Sequence, residues 1–415
     1  MTSDARAVEA RVAAEAAARR SYGKLVALLA AHTRDLAGAE DALSEAFASA
    51  LADWPKHGCP ARPEAWLLTV ARRKLVDVSR KRARGEAVAA QILRLGDELD
   101  RAPDAPEIPD ERLALMFACA HPALDAGIRA PLMLQVVVGL DAAAIASAFL
   151  VAPAAMGQRL VRAKQKIRRA GIPLRVPERA ELAARLEAVL EAIYAAFAEG
   201  WADAAGADVA RRELADEGID LGRLVVELLP GEPEALGLLA MMLYAEARRA
   251  ARRDANGEYV PLDAQDPARW DAALIDEAEA LLHAASAHGA IGRYQLEAAL
   301  QSAHVHRRRA GVANWAEVLA LYDALLALSG SPVVALNRAV ALGEVKGPEA
   351  ALLALDEIGA DRRLVEYQPY WAARAQLLAR TGARDEARRA YSLALGLERD
   401  AAVQRFLQDR REALG

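Results

Sequence analysis

The stretch AAMGQRLVRAKQKIRR, Ala154 to Arg169, holds bases and no acid in a chain whose formal net charge is -5. The acid-free interval extends from Ala142 to Pro177 and contains Arg159, Arg162, Lys164, Lys166, Arg168, Arg169 and Arg175. Charge sorted onto one segment in this way suits a polyanion. In GLDAAAIASAFLVAPAAMGQRLVRAKQKI, Ile145, Ala146 and Phe149 share the inner face of a first helix, Val151 plugs a turn, and Met156, Leu160 and Ile167 anchor a second helix. The outer face of that second helix carries Ala155, Gln158, Arg159, Arg162 and Lys166. This is the pattern of a helix-turn-helix. Its second helix fits a major groove, with glutamine facing adenine edges, arginine facing guanine edges, and the later bases, Lys164 among them, meeting phosphates. The competing reading is a solvated basic face in an ordinary helical bundle.

A second set of bases lies earlier. RPEAWLLTVARRKLVDVSRKRAR predicts a helix entered through Pro63 and Glu64, with Trp66, Leu67, Val70, Leu75 and Val76 turned inward. Arg72, Arg73, Lys74, Arg80, Lys81, Arg82 and Arg84 give it a separate nucleic-acid surface. Trp54 and Trp66 have rings that could stack on bases, but their helical spacing places both in the core. Upstream, SYGKLVALLAAHTRDLAGAEDALSEAFASALADWP repeats Leu25, Leu28, Leu29, Leu36, Leu43, Phe47 and Leu51 at threes and fours, which predicts helix up to the breakers Pro55, Gly58, Pro60 and Pro63. Asp35, Glu40, Asp41 and Glu45 lie on or beside one face of this run. On charge alone they read as a solvated acidic face.

These segments must be positioned by an all-α chain, because Ala, Leu, Arg and Glu dominate and aromatic residues make up only 5%. A length of 415 residues exceeds one ordinary core. The expected organisation is a small helical domain over 1–84, an acidic Pro-rich linker over 85–111 containing RAPDAPEIPDE, a second small domain with the helix-turn-helix over 112–175, and a helical repeat domain over 176–415. In the last of these, Trp371, Ala375, Leu378, Ala387, Tyr391 and Ala394 fall at the spacing of a tetratricopeptide unit, and Ala339, Leu342, Ala351, Leu355 and Ile358 fill the same slots one repeat earlier. Cys59 and Cys119 make no disulfide framework, the amino-terminal residues lack a signal pattern, and no run reaches the roughly 18 apolar residues of a membrane span. A cytoplasmic protein with no membrane partner is expected.

Taken together, the three earlier segments resemble the extracytoplasmic-function sigma factors, the smallest class of bacterial RNA polymerase sigma subunits. DLAGAEDALSEAFASALADWP is similar to their polymerase-binding helix, RPEAWLLTVARRKLVDVSRKRAR to their minus-ten reader, and GLDAAAIASAFLVAPAAMGQRLVRAKQKI to their minus-thirty-five reader. The remainder resembles the subgroup with a long C-terminal tetratricopeptide-like extension, through runs such as DERLALMFACAHPAL, AIYAAFAEGW and GEYVPLDAQDPARWD. The resemblance implies core RNA polymerase and promoter DNA as partners. It assigns Asp35, Glu40, Asp41 and Glu45 to a basic coiled coil of the polymerase largest subunit. It assigns Arg62, Trp66, Arg72, Arg73, Lys74, Arg80 and Lys81 to the minus-ten element, with the loop His57 to Arg62 beside an extruded base and Asp77 orienting the helix. Ala155, Gln158, Arg159, Arg162, Lys164 and Lys166 are assigned to the minus-thirty-five element. Ala120 stands where a second cysteine is expected, and Ala155 and Gly157 are small for a recognition helix. The extension is expected to regulate, receiving a protein or small-molecule signal.

Other constellations carry less. His57-x-Cys59 and Cys119-x-His121 lack the usual spacing of structural zinc ligands, so no metal and no cofactor is expected. No phosphate loop, nucleophile elbow or His-Glu-x-x-His helix marks an enzyme. The polar run Gly257 to Asp271, with Arg293, Tyr294 and Gln295, is either a pocket or an ordered loop capping the helices, and the latter is favoured. The rival functional class is a conventional helix-turn-helix transcription regulator with a ligand-sensing helical-repeat domain.

Overall fold

A computed structural model of the protein describes residues 3–33, 35–81, 111–149, 151–202 and 209–415. The expected linker, all but Glu111, lies outside the described residues, as do Arg82, Arg84 and the side chains of Arg80 and Lys81. The fold is all-α, with no strand among the described residues. It divides into two compact units, the first running to Ala202 and resuming as far as Leu224, the second covering Val225–Gly415.

The first unit opens with α1 (Ser3–Thr33), α2 (Leu36–His57) and α3 (Pro63–Lys81). The continuous helical run expected upstream of Pro55 is two helices. Asp35 ends the continuity by capping α2, its Oδ1 accepting from the Gly38 amide at 3.1 Å. Along α2 the buried residues Leu36, Ala39, Leu43, Ala46, Ala50 and Trp54 recur at threes and fours, which fixes the face turned to α1 and α3. Pro55 sits inside the last turn of α2, and Gly58, at φ 91°, stops it.

α4 (Arg112–Cys119) and α5 (Ala126–Met133) follow, the latter continuing into a π-helical turn, Leu134–Val138. Then come α6 (Ala142–Ala148) and α7 (Pro153–Ala170), the expected helix pair. α8 (Arg179–Ala202) packs on α4 and α5, and buried Arg185 donates to the Phe117 carbonyl oxygen at 3.3 Å. The first unit therefore extends well past residue 176. α9 (Val209–Leu228) carries Glu217, which pairs with Arg112.

The second unit is a run of helices, the long ones each packed on the next: α10 (Pro233–Ala247), α11 (Ala272–Ser286), α12 (Arg293–Ala310), α13 (Trp315–Ser329), α14 (Pro332–Lys346), α15 (Pro348–Ile358), short α16 (Arg362–Val365), α17 (Gln368–Thr381), α18 (Arg384–Leu397) and α19 (Ala401–Glu412). Its core is a chain of clusters joined by shared helices. α14 gives Ala341 to the cluster of α12 and α13, and Leu336 and Ala339 to the cluster of α15 and α17. α17 gives Tyr370 and Leu377 to that cluster, and Ala375 to the next, with Tyr391 and Leu407. Such stepwise burial is how stacked helical pairs share a core.

The polar run after α10 is an ordered loop held by its own hydrogen bonds. Asp254 Oδ1 accepts from the amides of Asn256 and Glu258, and the Val260 amide donates to Arg252 O at 2.9 Å. Glu234 of α10 caps α12, accepting from the amides of Tyr294 at 3.0 Å and Gln295 at 3.2 Å.

Candidate nucleic-acid interface

The helix pair α6–α7 is built as its apolar spacing requires. Asp141 Oδ1 accepts from the amides of Ala143 and Ala144 and starts α6, whose Ile145 and Ala146 are buried. The Val151 amide donates to Ala146 O at 2.9 Å and tightens the turn, and Pro153 opens α7 at a position that needs no amide donor. Met156, Leu160, Ala163 and Ile167 are buried along α7. The opposite face exposes Gln158, Arg159, Arg162 and Lys166, with Ala155 half-buried beside them. Arg159, Arg162 and Lys166 also line an open groove of about 570 Å³, walled on its other side by Leu124 to Ile128 at the amino end of α5. The three cations outnumber the one acid that also lines the groove, Asp125 at the amino end of α5, so its net charge is positive, as a phosphate would need.

Lys164 departs from the expected surface. Its Nζ lies 2.9 Å from Glu40 Oε2 of α2, and the two side chains are only 16% and 12% exposed. Burial pushes the Glu40 carboxyl up from its ordinary range while Lys164 pulls it back. Arg168 of the same helix stands 3.8 Å from Asp35. Two residues expected to meet polymerase and two of the basic helix thus face one another. The spacing carried a signal, because Lys164 adjoins buried Ala163 and follows buried Leu160 by one turn, at the rim of the apolar stripe.

On α3, Arg72 is the second departure. It is 7% exposed, in register with the buried pairs Leu67–Leu68 and Leu75–Val76, and so faces the core. Arg62 and Arg73 are exposed, and Lys74 is half-buried with its Nζ 3.0 Å from Glu45 Oε2. That pair lies near the surface and contributes at most about 1 kcal/mol, so it yields readily to a stronger partner. Asp41 and Asp77 are exposed. Trp54 is buried, and half-buried Trp66 packs edge-on against it at 5.5 Å between ring centres. At the end of α2, one residue before the loop that leads to α3, exposed His57 meets Asp53 at 2.9 Å. Among the described residues no cluster of ligands for a metal ion occurs, and no helix is long and apolar enough to cross a membrane.

Comparison with known proteins places α1 to α3 first. Residues 18–85 match Sigma-70 region 2, and residues 185–286 match DUF6596, a family of unknown function. An uncharacterised protein of Rhizobium meliloti (strain 1021) is 40% identical over 384 residues, covering 90% of this chain and 89% of its own length. The chain belongs to that protein's family. The match to Sigma-70 region 2 supports a sigma-factor role in transcription initiation and implies core RNA polymerase and promoter DNA as partners. No solved structure matches the chain.

Proposed function

We propose that the protein is an extracytoplasmic-function type sigma factor that acts in the bacterial cytoplasm, with a regulatory C-terminal extension. The sigma region 2 match supports the first part. The acid-free exposed row Gln158, Arg159, Arg162 and Lys166 on α7 is the observation that carries the second DNA contact. In this reading α7 enters the major groove at the minus-thirty-five element, and a phosphate sits in the groove between α7 and α5. α3 and the preceding loop handle the minus-ten element through Arg62, Arg73 and Lys74, and Asp41 and Glu45 of α2 face the polymerase. The stacked pairs α14–α15 and α17–α18 read as tetratricopeptide-like repeats, and the second unit receives a protein or small-molecule signal.

The test is DNA binding by the protein alone and by its complex with core polymerase. A sigma factor binds promoter DNA weakly alone and specifically with polymerase. Arg159→Ala with Arg162→Ala then weakens minus-thirty-five recognition by about 10- to 1000-fold, the loss of two base-reading or phosphate contacts. Tight operator binding without polymerase would instead favour a conventional regulator.

A further inference from the structure

We propose that the second unit binds a small phosphate-bearing molecule through Arg248 and Arg252, where the end of α10 meets α12. The proposal deepens the reading of that unit as the receiver of a small-molecule signal, and rests on it for the consequence of binding but not for the binding itself. The residues belong to the run RRAARR, Arg248 to Arg253, which sets four guanidiniums within six residues. Two of them have acidic partners: Arg249 Nε lies 2.7 Å from Glu246, and Arg253 pairs with Asp400. Arg248 pairs with no carboxylate among the described residues, although it is only 7% exposed. Its Nε donates to the Tyr244 carbonyl oxygen at 3.2 Å and its Nη2 to Gln301 Oε1 of α12 at 2.5 Å, both uncharged acceptors. Nη1 is left without an acceptor among the described residues.

The carboxyl end of α10 accounts for Nε, since an arginine there satisfies the last carbonyls of a helix. It does not account for the rest. In the next residue, Arg249, Nη1 and Nη2 are buried with no hydrogen-bond partner, in a side chain 11% exposed. Burial first, and then Arg252, hold the Arg248 guanidinium down to about 10. Burial also holds half-buried Arg252, four residues on, down to about 10, with Tyr259 and Asp400 opposing and Arg249 and Arg253 adding to the effect. Like charges buried together are costly without an anion, and groups perturbed in this way gather at functional sites. Donors left over in a buried cluster are satisfied by oxygen acceptors. A phosphoryl group brings negative charge and three such oxygens, and it suits the arginine fork. With so little of Arg248 exposed, a small molecule reaches it where the surface of a folded partner does not.

The experiment titrates the full-length protein by calorimetry with inorganic phosphate, pyrophosphate and ATP in turn, at constant ionic strength. Saturable binding of at least one is expected, and the order of affinities tells free phosphate from a phosphate ester. Arg248→Gln and Arg252→Gln are each expected to weaken that binding about tenfold or more, the loss of a charged hydrogen-bond donor. The second substitution serves if the first does not fold. Because Arg248 neutralises no acid, free Arg248→Gln is expected to melt no lower than the wild type, whereas loss of a purely structural arginine would lower the melt. Three results overturn the proposal: no saturable binding of any of the three by the wild type, binding that survives both substitutions, or binding lost instead with Arg159→Ala and Arg162→Ala on α7. Run-off transcription with and without the bound anion separates site from signal. Binding with unchanged transcription upholds the site and rejects its role as the signal, and the calorimetry stands whether or not the sigma reading does.

Discussion

Arg72 and Arg73 are neighbours in sequence with opposite surroundings, one buried on the inner face of α3 and the other exposed. Arg72→Ala removes packing as well as charge and is expected to cost about 2 kcal/mol in urea unfolding. Arg73→Ala should stay within about 0.5 kcal/mol of wild type yet weaken binding to minus-ten DNA in the polymerase complex. Composition and charge marked both residues as DNA contacts, and only the alternation of buried pairs along α3 separates them. His304 is a second case where burial decides. It packs edge-on to Trp315 near Arg248 and Arg307, and its imidazole is held down to about 4, by burial first and then by those arginines, with Asp263 opposing. The folded state favours the neutral ring, so this contribution is present above pH 6.5 and is lost as the pH falls from there through about 4. A shift of that size corresponds to about 3 kcal/mol. Amide exchange in α12 should accelerate across that window in the wild type and much less in His304→Gln.

At the scale of elements, the helices were legible wherever apolar residues recur at threes and fours, and so were the junctions marked by proline or glycine, between α2 and α3 and between α6 and α7, whereas a junction without such breakers was not. The break between α1 and α2 rests on one capping aspartate, Asp35, inside an otherwise continuous pattern. Of the slots read from spacing alone, Ala339, Ala351, Leu355, Ala375, Ala387, Tyr391 and Ala394 are buried in the second unit, and Leu342, Ile358, Trp371 and Leu378 are half-buried. The role of Glu234 could not be read, because a carboxylate that caps another helix sixty residues away leaves no local pattern. Its partner segment begins where α10 crosses α12, and a Cβ on Gly237 would lie 2.6 Å from the Gln295 amide nitrogen. Gly237→Val is therefore expected to destabilise the second unit by more than about 2 kcal/mol, whereas Gly396→Ala, with open space around it, should stabilise α18 by roughly 0.5–1 kcal/mol. Thermal unfolding of both variants checks the contrast. Equal effects would mean that the crossing of α10 and α12 is looser than described.

At the scale of the molecule, the resemblance implied a polymerase-binding helix, a minus-ten helix and a helix-turn-helix in that order, and the match of residues 18–85 to Sigma-70 region 2 supports the sigma reading of the first segments. What sequence could not supply is the packing of α1 and α2 against the π-helical turn and α7 in one unit, because the contacts that join them, Gly23 to Val137 and Glu40 to Lys164, lie more than a hundred residues apart. The reach of that unit through α8 to Leu224 was likewise hidden, since α8 shows the same helical composition as the segments after it. The central claim is that this chain directs core polymerase to promoters. Its most direct test is run-off transcription with purified bacterial core polymerase on randomised promoter templates, followed by sequencing of the transcripts. The account predicts starts that depend on the protein and share paired elements near minus thirty-five and minus ten. Transcripts no different from those of core polymerase alone, on a polymerase shown competent with another sigma subunit, would contradict it.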